Sequence, residues 1–263
     1  MLTYYSTRAH EDFWTEHWGG HTVDELLAVA RVSPLTALIT AALPPAGLVL
    51  EAGCGLGQYV ILLRERGWRA AGVDTSVDAL AACRRAAAVP LAASDLRALA
   101  IRNGALAAYI SLGVVEHDPA GPDAMLAEAR RVLAPAGTLV LSVPYVNGLR
   151  YLGAPWIRRR QAALSRHGGT FYQYAFSRRE LLVAVRRQGF TPLAARPYDP
   201  ARVLRAAVRT LGGRRRPEVA WREASPPTTR DRGWLGALVR RGLYSEPTLR
   251  LLGHMLLVVA RRT

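Results

Sequence analysis

The chain has 263 residues, half of them hydrophobic and 21% charged, enough for one α/β domain with an insertion and a full core. Its formal net charge is +15, and all 35 cationic side chains are arginines; this suits nucleic acid, an anionic membrane or a phosphorylated substrate without choosing among them. Its two cysteines exclude a disulfide framework, no apolar run is long enough to cross a bilayer, and Met1 to Asp12 lack a signal peptide's apolar core, so a cytoplasmic protein is expected.

The segment from Tyr4 to Leu43 opens with aromatic residues, Tyr4, Tyr5, Phe13, Trp14 and Trp18. It turns amphipathic at Leu26, Leu27, Val29 and Ala30, and again at Leu35, Leu38 and Ile39. The expectation is a cap of short helices over residues 1–46, stopped by Pro44-Pro45. Its aromatics are expected mainly as core. His10, His17 and His21 have no carboxylate or cysteine at a ligand spacing, and Gly19-Gly20 breaks the helix between the last two, so no metal site is expected.

A strand at Gly47–Leu50 then meets Glu51 and a turn with Gly53, Gly55 and Gly57, and a helix follows from Gln58 to Arg66. Glycine permits positive φ and lets a ligand lie against bare main chain, and the new helix points unpaired N–H groups into the same space. The spacing G-x-G-x-G is one residue short of the dinucleotide fingerprint, and a chain without lysine has no P-loop. Cys54 reads as packing within the turn. The second strand, Trp68–Asp74, ends in an acid about twenty residues beyond the turn, where the two oxygens of a carboxylate match a ribose diol. Thr75 and Ser76 cap the next helix, Val77–Ala88, which is compatible with Asp74 binding ribose. A short third strand, Val89–Ala93, leads to Ser94-Asp95-Leu96.

The fourth strand, Ala105–Ser111, runs into Leu112-Gly113-Val114-Val115-Glu116-His117. His117 is the most tempting general base, since neutral imidazole titrates near working pH. An amphipathic helix from Pro122 to Leu133 turns at Pro135-Ala136-Gly137 into the fifth strand, Thr138–Pro144. Beyond an aromatic stretch at Phe171–Phe176, Ser177 and Glu180 make a capping box for a helix to Gln188, and Gly189-Phe190 starts the sixth strand. The core strands resume only at His254–Ala260. Between Asp199 and Leu252 lies an arginine-rich insertion, with Arg202, Arg205 and Arg209 opposite an apolar helical face and a second basic amphipathic stretch from Trp234 to Leu243. A helical lid over residues 200–253 is the plainer reading; a surface docking on anionic lipid, with Trp234 and Leu235 as its apolar edge, is the sharper one. No G-x-S-x-G elbow, H-E-x-x-H pair or kinase loop is present.

The turn E-A-G-C-G-L-G at 51–57 resembles motif I of the class I S-adenosylmethionine (SAM)-dependent methyltransferases. Ser111 to His117 resembles their motif IV, and R-R-V-L-A-P-A-G-T-L-V-L-S-V-P at 130–144 their helix–turn–strand. The resemblance covers roughly Leu48 to Leu193 and the last strand. It implies an α/β, Rossmann-like, doubly wound seven-stranded sheet of order 3-2-1-4-5-7-6 with the last strand antiparallel, built from residues 47–199 and 254–263. It also implies SAM contacts from Glu51, Gly53, Cys54, Gly55, Gly57, Asp74, Thr75, Asp95, Leu96, Ser111, Leu112 and Gly113. In that pattern Asp95 reaches the adenine amino group, Leu96 covers the ring, and Tyr4, Tyr5 and Trp14 help close the site. His117, His167 and Tyr172 are candidates to assist catalysis, with Tyr174 beside the acceptor.

The expected reaction is transfer of the SAM methyl group to an oxygen or nitrogen of a small molecule or glycan, leaving S-adenosyl-L-homocysteine. The alternatives are a lipid or quinone acceptor, reached by peripheral contact with an anionic membrane, and a non-catalytic SAM-binding protein. Nucleic acid is disfavoured because no RNA-binding module or aromatic–basic signature stands in the sequence.

Overall fold

The computed structural model of the protein describes residues 1–7, 13–200, 202 and 241–263. The chain opens with β1 (Leu2–Ser6) and continues through α1 (Phe13–Gly19), α2 (Val23–Val32) and α3 (Pro34–Ala42). Strands and helices then alternate as β2 (Leu48–Ala52), α4 (Gln58–Glu65), β3 (Arg69–Asp74), α5 (Val77–Ala86), β4 (Leu91–Ala93) and β5 (Leu106–Leu112). The second half holds α6 (Asp123–Val132), β6 (Leu133–Pro144), α7 (Gly148–Leu152), α8 (Ala154–Arg166), β7 (Thr170–Ala175), α9 (Arg178–Arg187) and β8 (Phe190–Tyr198). A helix at Glu246–Leu252 leads into β9 (Met255–Arg262).

The main sheet has the order β4-β3-β2-β5-β6-β9-β8, with β9 antiparallel to both neighbours. Numbered within the core, that is the expected 3-2-1-4-5-7-6. Alternate residues of each central strand feed opposite faces. Val49, Ala108, Ile110 and Val140 pack with α2, α3, α4 and α5, while Leu50, Tyr109, Leu139 and Leu141 pack with α6 and α9. Strands covered on both faces read as continuous apolar runs for this reason. Consecutive strands run outward to β4 on one side of β2 and restart at β5 on the other. The carboxyl ends of β2 and β5 therefore flank a crevice.

The N-terminal segment departs from the expected all-helical cap. Leu2–Ser6 is a strand, paired antiparallel with β7 in a separate two-stranded sheet, Leu2 opposite Ala175 and Tyr4 opposite Gln173. L-T-Y-Y-S has the β-branched and aromatic character that favours a strand, but its partner lies far away in sequence. The stretch 148–166, to which the sequence reading assigned no element, forms α7 and α8. β6 starts at Leu133 rather than Thr138: opposite it β5 moves from Leu106 to Ala108 while β6 moves from Leu133 to Thr138, so the Pro135-Ala136-Gly137 turn becomes an irregularity in the ladder, with Ala136 at φ 59. The capping box at Ser177 and Glu180 is formed. His10 lies outside the described residues, as do Arg205, Arg209, Trp234 and Leu235, on which the lid and lipid readings rest.

Candidate functional site

The glycine turn is stitched to β3. The N–H groups of Gly53 and Cys54 both donate to the Val73 carbonyl, at 2.8 and 3.0 Å. Asp74, buried at the end of β3, completes the join: Oδ2 accepts from Gly55 N–H at 2.7 Å and Oδ1 from Ser76 N–H at 2.8 Å. Ser76 also caps α5, and Thr75 is exposed. Gly53, Gly55 and Gly57 all take positive φ, at 81°, 51° and 72°. A Cβ at Gly53 would stand 2.4 Å from Val114 Cγ2, and one at Gly57 2.4 Å from Cys83 Sγ. These two glycines thus admit close packing of the protein on itself.

Gly55 is roofed by an indole. A Cβ there would meet Trp18 Cζ2 at 2.3 Å, so the face expected to be bare is covered by a residue of α1. Trp14 stacks on Trp18, with ring centroids 6.5 Å apart, and meets His117 edge-on at 4.8 Å. α1 therefore spans from the glycine turn to the end of β5. Of the three residues expected to close the site, Trp14 is in this roof, whereas Tyr4 and Tyr5 sit in β1, with Tyr5 N–H bonded to Gln161 Oε1. Trp18 was legible only as one aromatic among several; nothing local in the sequence distinguishes the one that lands on the turn.

Glu51 and Cys54 are buried beneath the turn. Burial above all, then the charges of Glu51 and Asp74, pushes the Cys54 thiol far up, so it stays un-ionised and packs, as its small size in the turn implied. Of the two residues expected at the adenine, Leu96 departs from that expectation. Leu96 lies in the core with Leu50, Val73 and Leu99, because the turn after β4 directs it under the sheet. Asp95 is exposed, and its carboxylate is held by Arg97, which donates from its main chain at 2.9 Å and from Nη2 at 2.8 Å.

At the end of β5, Ser111 is buried with no hydrogen-bond partner for its Oγ among the described residues. Leu112 is half-buried, and Gly113 turns at φ 74° while its N–H donates to Ser142 O at 2.9 Å. A single 3-10 turn, Val115–His117, follows. His117 Nδ1 donates to the Tyr172 carbonyl at 2.8 Å; a carbonyl can only accept, so Nε2 carries the lone pair. No described residue bonds that Nε2. Burial lowers the His117 pKa to about 4, so the ring is neutral at pH 7. The Tyr172 ring packs on His117 at 5.2 Å and on Phe13 at 5.4 Å, and Tyr174 Oη–H donates to Pro119 O. His167 does not join them. It is exposed at the end of α8 with Nδ1 bonded to Ala163 O, and Gly168-Gly169 carries the chain away before β7 begins.

Glu116, beside His117, was missed. It is fully buried, and neither carboxyl oxygen has a partner among the described residues. Burial raises its pKa from 4.5 to about 8. The folded chain therefore keeps a proton that the unfolded chain releases, and this contribution to stability is present below pH 4.5 and lost as pH rises towards 8. Glu116→Gln, an uncharged isostere, should match the wild type near pH 4.5 and exceed it by a few kcal/mol near pH 8. Urea titrations across that range test this, and a difference independent of pH would contradict it.

A family model described as a methyltransferase domain matches residues 49–137. No curated protein matches the sequence. Among solved structures the chain is similar to a SAM-dependent methyltransferase from Archaeoglobus fulgidus, with a TM-score of 0.59 at 16% identity over 96% of this chain and 100% of that one. It is also similar to geranyl diphosphate C-methyltransferase from Streptomyces coelicolor A3(2), crystallised with Mg2+, geranyl diphosphate and S-adenosyl-L-homocysteine, at TM-score 0.59 and 17% identity over 100% of this chain and 92% of that one. A third is a geranyl diphosphate methyltransferase in complex with SAM, at TM-score 0.58 and 15% identity over 100% and 98% of the two chains. At such identities the structural likeness is one of fold.

Proposed function

We propose that the chain, which carries a methyltransferase domain at residues 49–137 on a fold similar to SAM-dependent methyltransferases, is a class I SAM-dependent methyltransferase that methylates an oxygen or nitrogen of a small-molecule or glycan acceptor. SAM, its cofactor, supplies an electrophilic methyl group on a sulfonium. The observation that carries the cofactor assignment is the Asp74 carboxylate bonded across to Gly55 N–H at the β2/β5 crevice. Each of its oxygens keeps a lone pair after the main-chain bonds, enough to accept from two ribose hydroxyls. Ser111 supports the fit as well: its buried Oγ lacks a partner among the described residues and lies at the adjoining strand end.

In this reading Asp74 and Gly113 hold the cofactor beside the turn, while Trp14 and Trp18, the latter against Gly55, close the crevice and exclude water. His117 Nε2 accepts the proton of the acceptor as the new bond forms, its tautomer held by the Tyr172 carbonyl. Alignment of acceptor and methyl group supplies most of the rate. The N-terminal segment 1–46 supplies that roof in the same reading.

Label transfer from radioactive SAM into fractionated extract tests the acceptor class; label in glycan or small-molecule fractions is expected, and label in lipid extract would favour the lipid or quinone alternative. No transfer, with SAM bound, would favour the non-catalytic one. His117→Ala should lower kcat by about 10²-fold or more while leaving the SAM Kd within about twofold. Unchanged turnover would remove His117 as the base. Because His117 stays neutral above about pH 4, its contribution to kcat should be flat from pH 6 to 8 and fall only on acidification.

A further inference from the structure

At the same edge of the sheet, between β6 and β9, stands a guanidinium that the cofactor assignment does not use. Arg150, on α7, is half-buried and directed back across the end of β6. Its Nη1 donates to Tyr145 O at 2.6 Å and to His254 O at 3.3 Å, and its Nη2 to His254 Nδ1 at 3.1 Å. Three of its five N–H groups are thereby used. The remaining two, on Nε and Nη2, form the side-on fork that matches an oxyanion in bidentate fashion. That fork has no partner, and no carboxylate pairs with Arg150, among the described residues.

One further cation, Arg202, acts on it. Burial is the main influence depressing the guanidinium, Tyr4 opposes it, and the charge of Arg202 adds to it. Arg202 and Arg150 also act together on His254, which burial first and then these charges hold down at about 2. His254 is therefore neutral at pH 7, with Nδ1 accepting from Arg150 and its proton on Nε2. The frame is firm: Asn147, buried, caps α7 through Arg150 N–H and donates from Nδ2 to Gly253 O, so both sides of the site are tied together. A desolvated cation costs stability unless a counter-charge meets it, and such an arrangement persists where a ligand supplies that charge.

We propose that Arg150, with Arg202 beside it, anchors an anionic group, a phosphate or carboxylate, of the methyl acceptor. Strands lie about 4.8 Å apart and rise about 3.3 Å per residue; Gly113 N–H bonds Ser142 O and Tyr145 lies three residues further along the chain, so the anchor is on the order of 11–14 Å from Gly113. That span suits a small acceptor whose charged end lies on Arg150 while the reacting atom lies by β5. The role as acceptor anchor rests on the methyltransferase reading, but oxyanion binding does not.

The test is titration of the full chain with inorganic phosphate, and separately with acetate, at constant ionic strength against chloride, followed by thermal melting. Saturable stabilisation by one of the two is expected, identifying phosphate or carboxylate. Arg150→Lys keeps the charge but loses the fork and should weaken that binding by about tenfold, whereas Arg159→Gln, on the exposed side of α8, should not change it. If Arg150→Lys does not fold, Arg202→Gln should weaken the binding at least threefold. Stabilisation that never saturates, or saturation unchanged in the Arg150 variant (in Arg202→Gln if the former does not fold), would overturn the proposal. SAM titrated in parallel separates the two readings. Oxyanion binding without SAM binding would spare the anion site and count against the cofactor assignment; SAM binding without oxyanion binding would do the reverse.

Discussion

Asp74→Ala is expected to weaken SAM binding by about 10²-fold and to lower stability at the same time. Beside the main-chain bonds to Val73 O, the carboxylate ties the glycine turn to the start of α5, by bonds to Gly55 N–H and Ser76 N–H. Alanine would leave both buried donors unsatisfied, at about 1–3 kcal/mol each, and would also remove the acceptors assigned to ribose. Calorimetric titration with SAM and urea unfolding read the two losses separately. Asp74→Asn keeps one acceptor oxygen and should fall between wild type and alanine in both. If the alanine variant bound SAM as tightly as the wild type, Asp74 would hold only the turn, and the cofactor assignment would lose its main support.

Gly53→Ala is expected to be comparably severe, for a steric reason. The residue sits at φ 81°, and the added methyl would stand 2.4 Å from Val114 Cγ2 and 3.0 Å from Cγ1. The left-handed backbone alone costs about 1–2 kcal/mol, and Val114, β-branched, has little rotamer freedom with which to yield. Together these predict a loss of about 3–5 kcal/mol, with displacement of the Val114–His117 loop and hence loss of turnover. Gly67→Ala is the matching control, since φ there is 92° but nothing lies within 4 Å of the added Cβ. It should show the backbone penalty only. Equal urea midpoints for the two variants would mean that Val114 moves aside at no cost, and the tight join between motif and loop would be disproved.

Much of the core was legible because its signals are local. Capping pairs such as Ser177 and Glu180 lie three residues apart, glycine turns are short, and a strand buried on both faces is apolar throughout. The order of the seven strands came from the resemblance rather than from periodicity. What failed depended on where side chains go after the chain has travelled far. Tyr4 and Tyr5 read as part of a helical cap, yet their strand is decided by β7, more than 160 residues away in sequence. Leu96 has the right neighbours in sequence for an adenine site, but the turn after β4 sends it into the core.

By itself, then, the sequence determined the alternation of strands and helices, the glycine turn and the acid opposite it, since each is set by propensity, capping and hydrophobic period within a few residues. Only the tertiary structure decided that Trp18 covers Gly55, that Glu116 is enclosed beside His117 and that Arg150 faces His254 with its fork unspent. Those facts depend on which faces meet across the crevice. Burial and the charge of a distant neighbour, which no local pattern records, then set what each group can do.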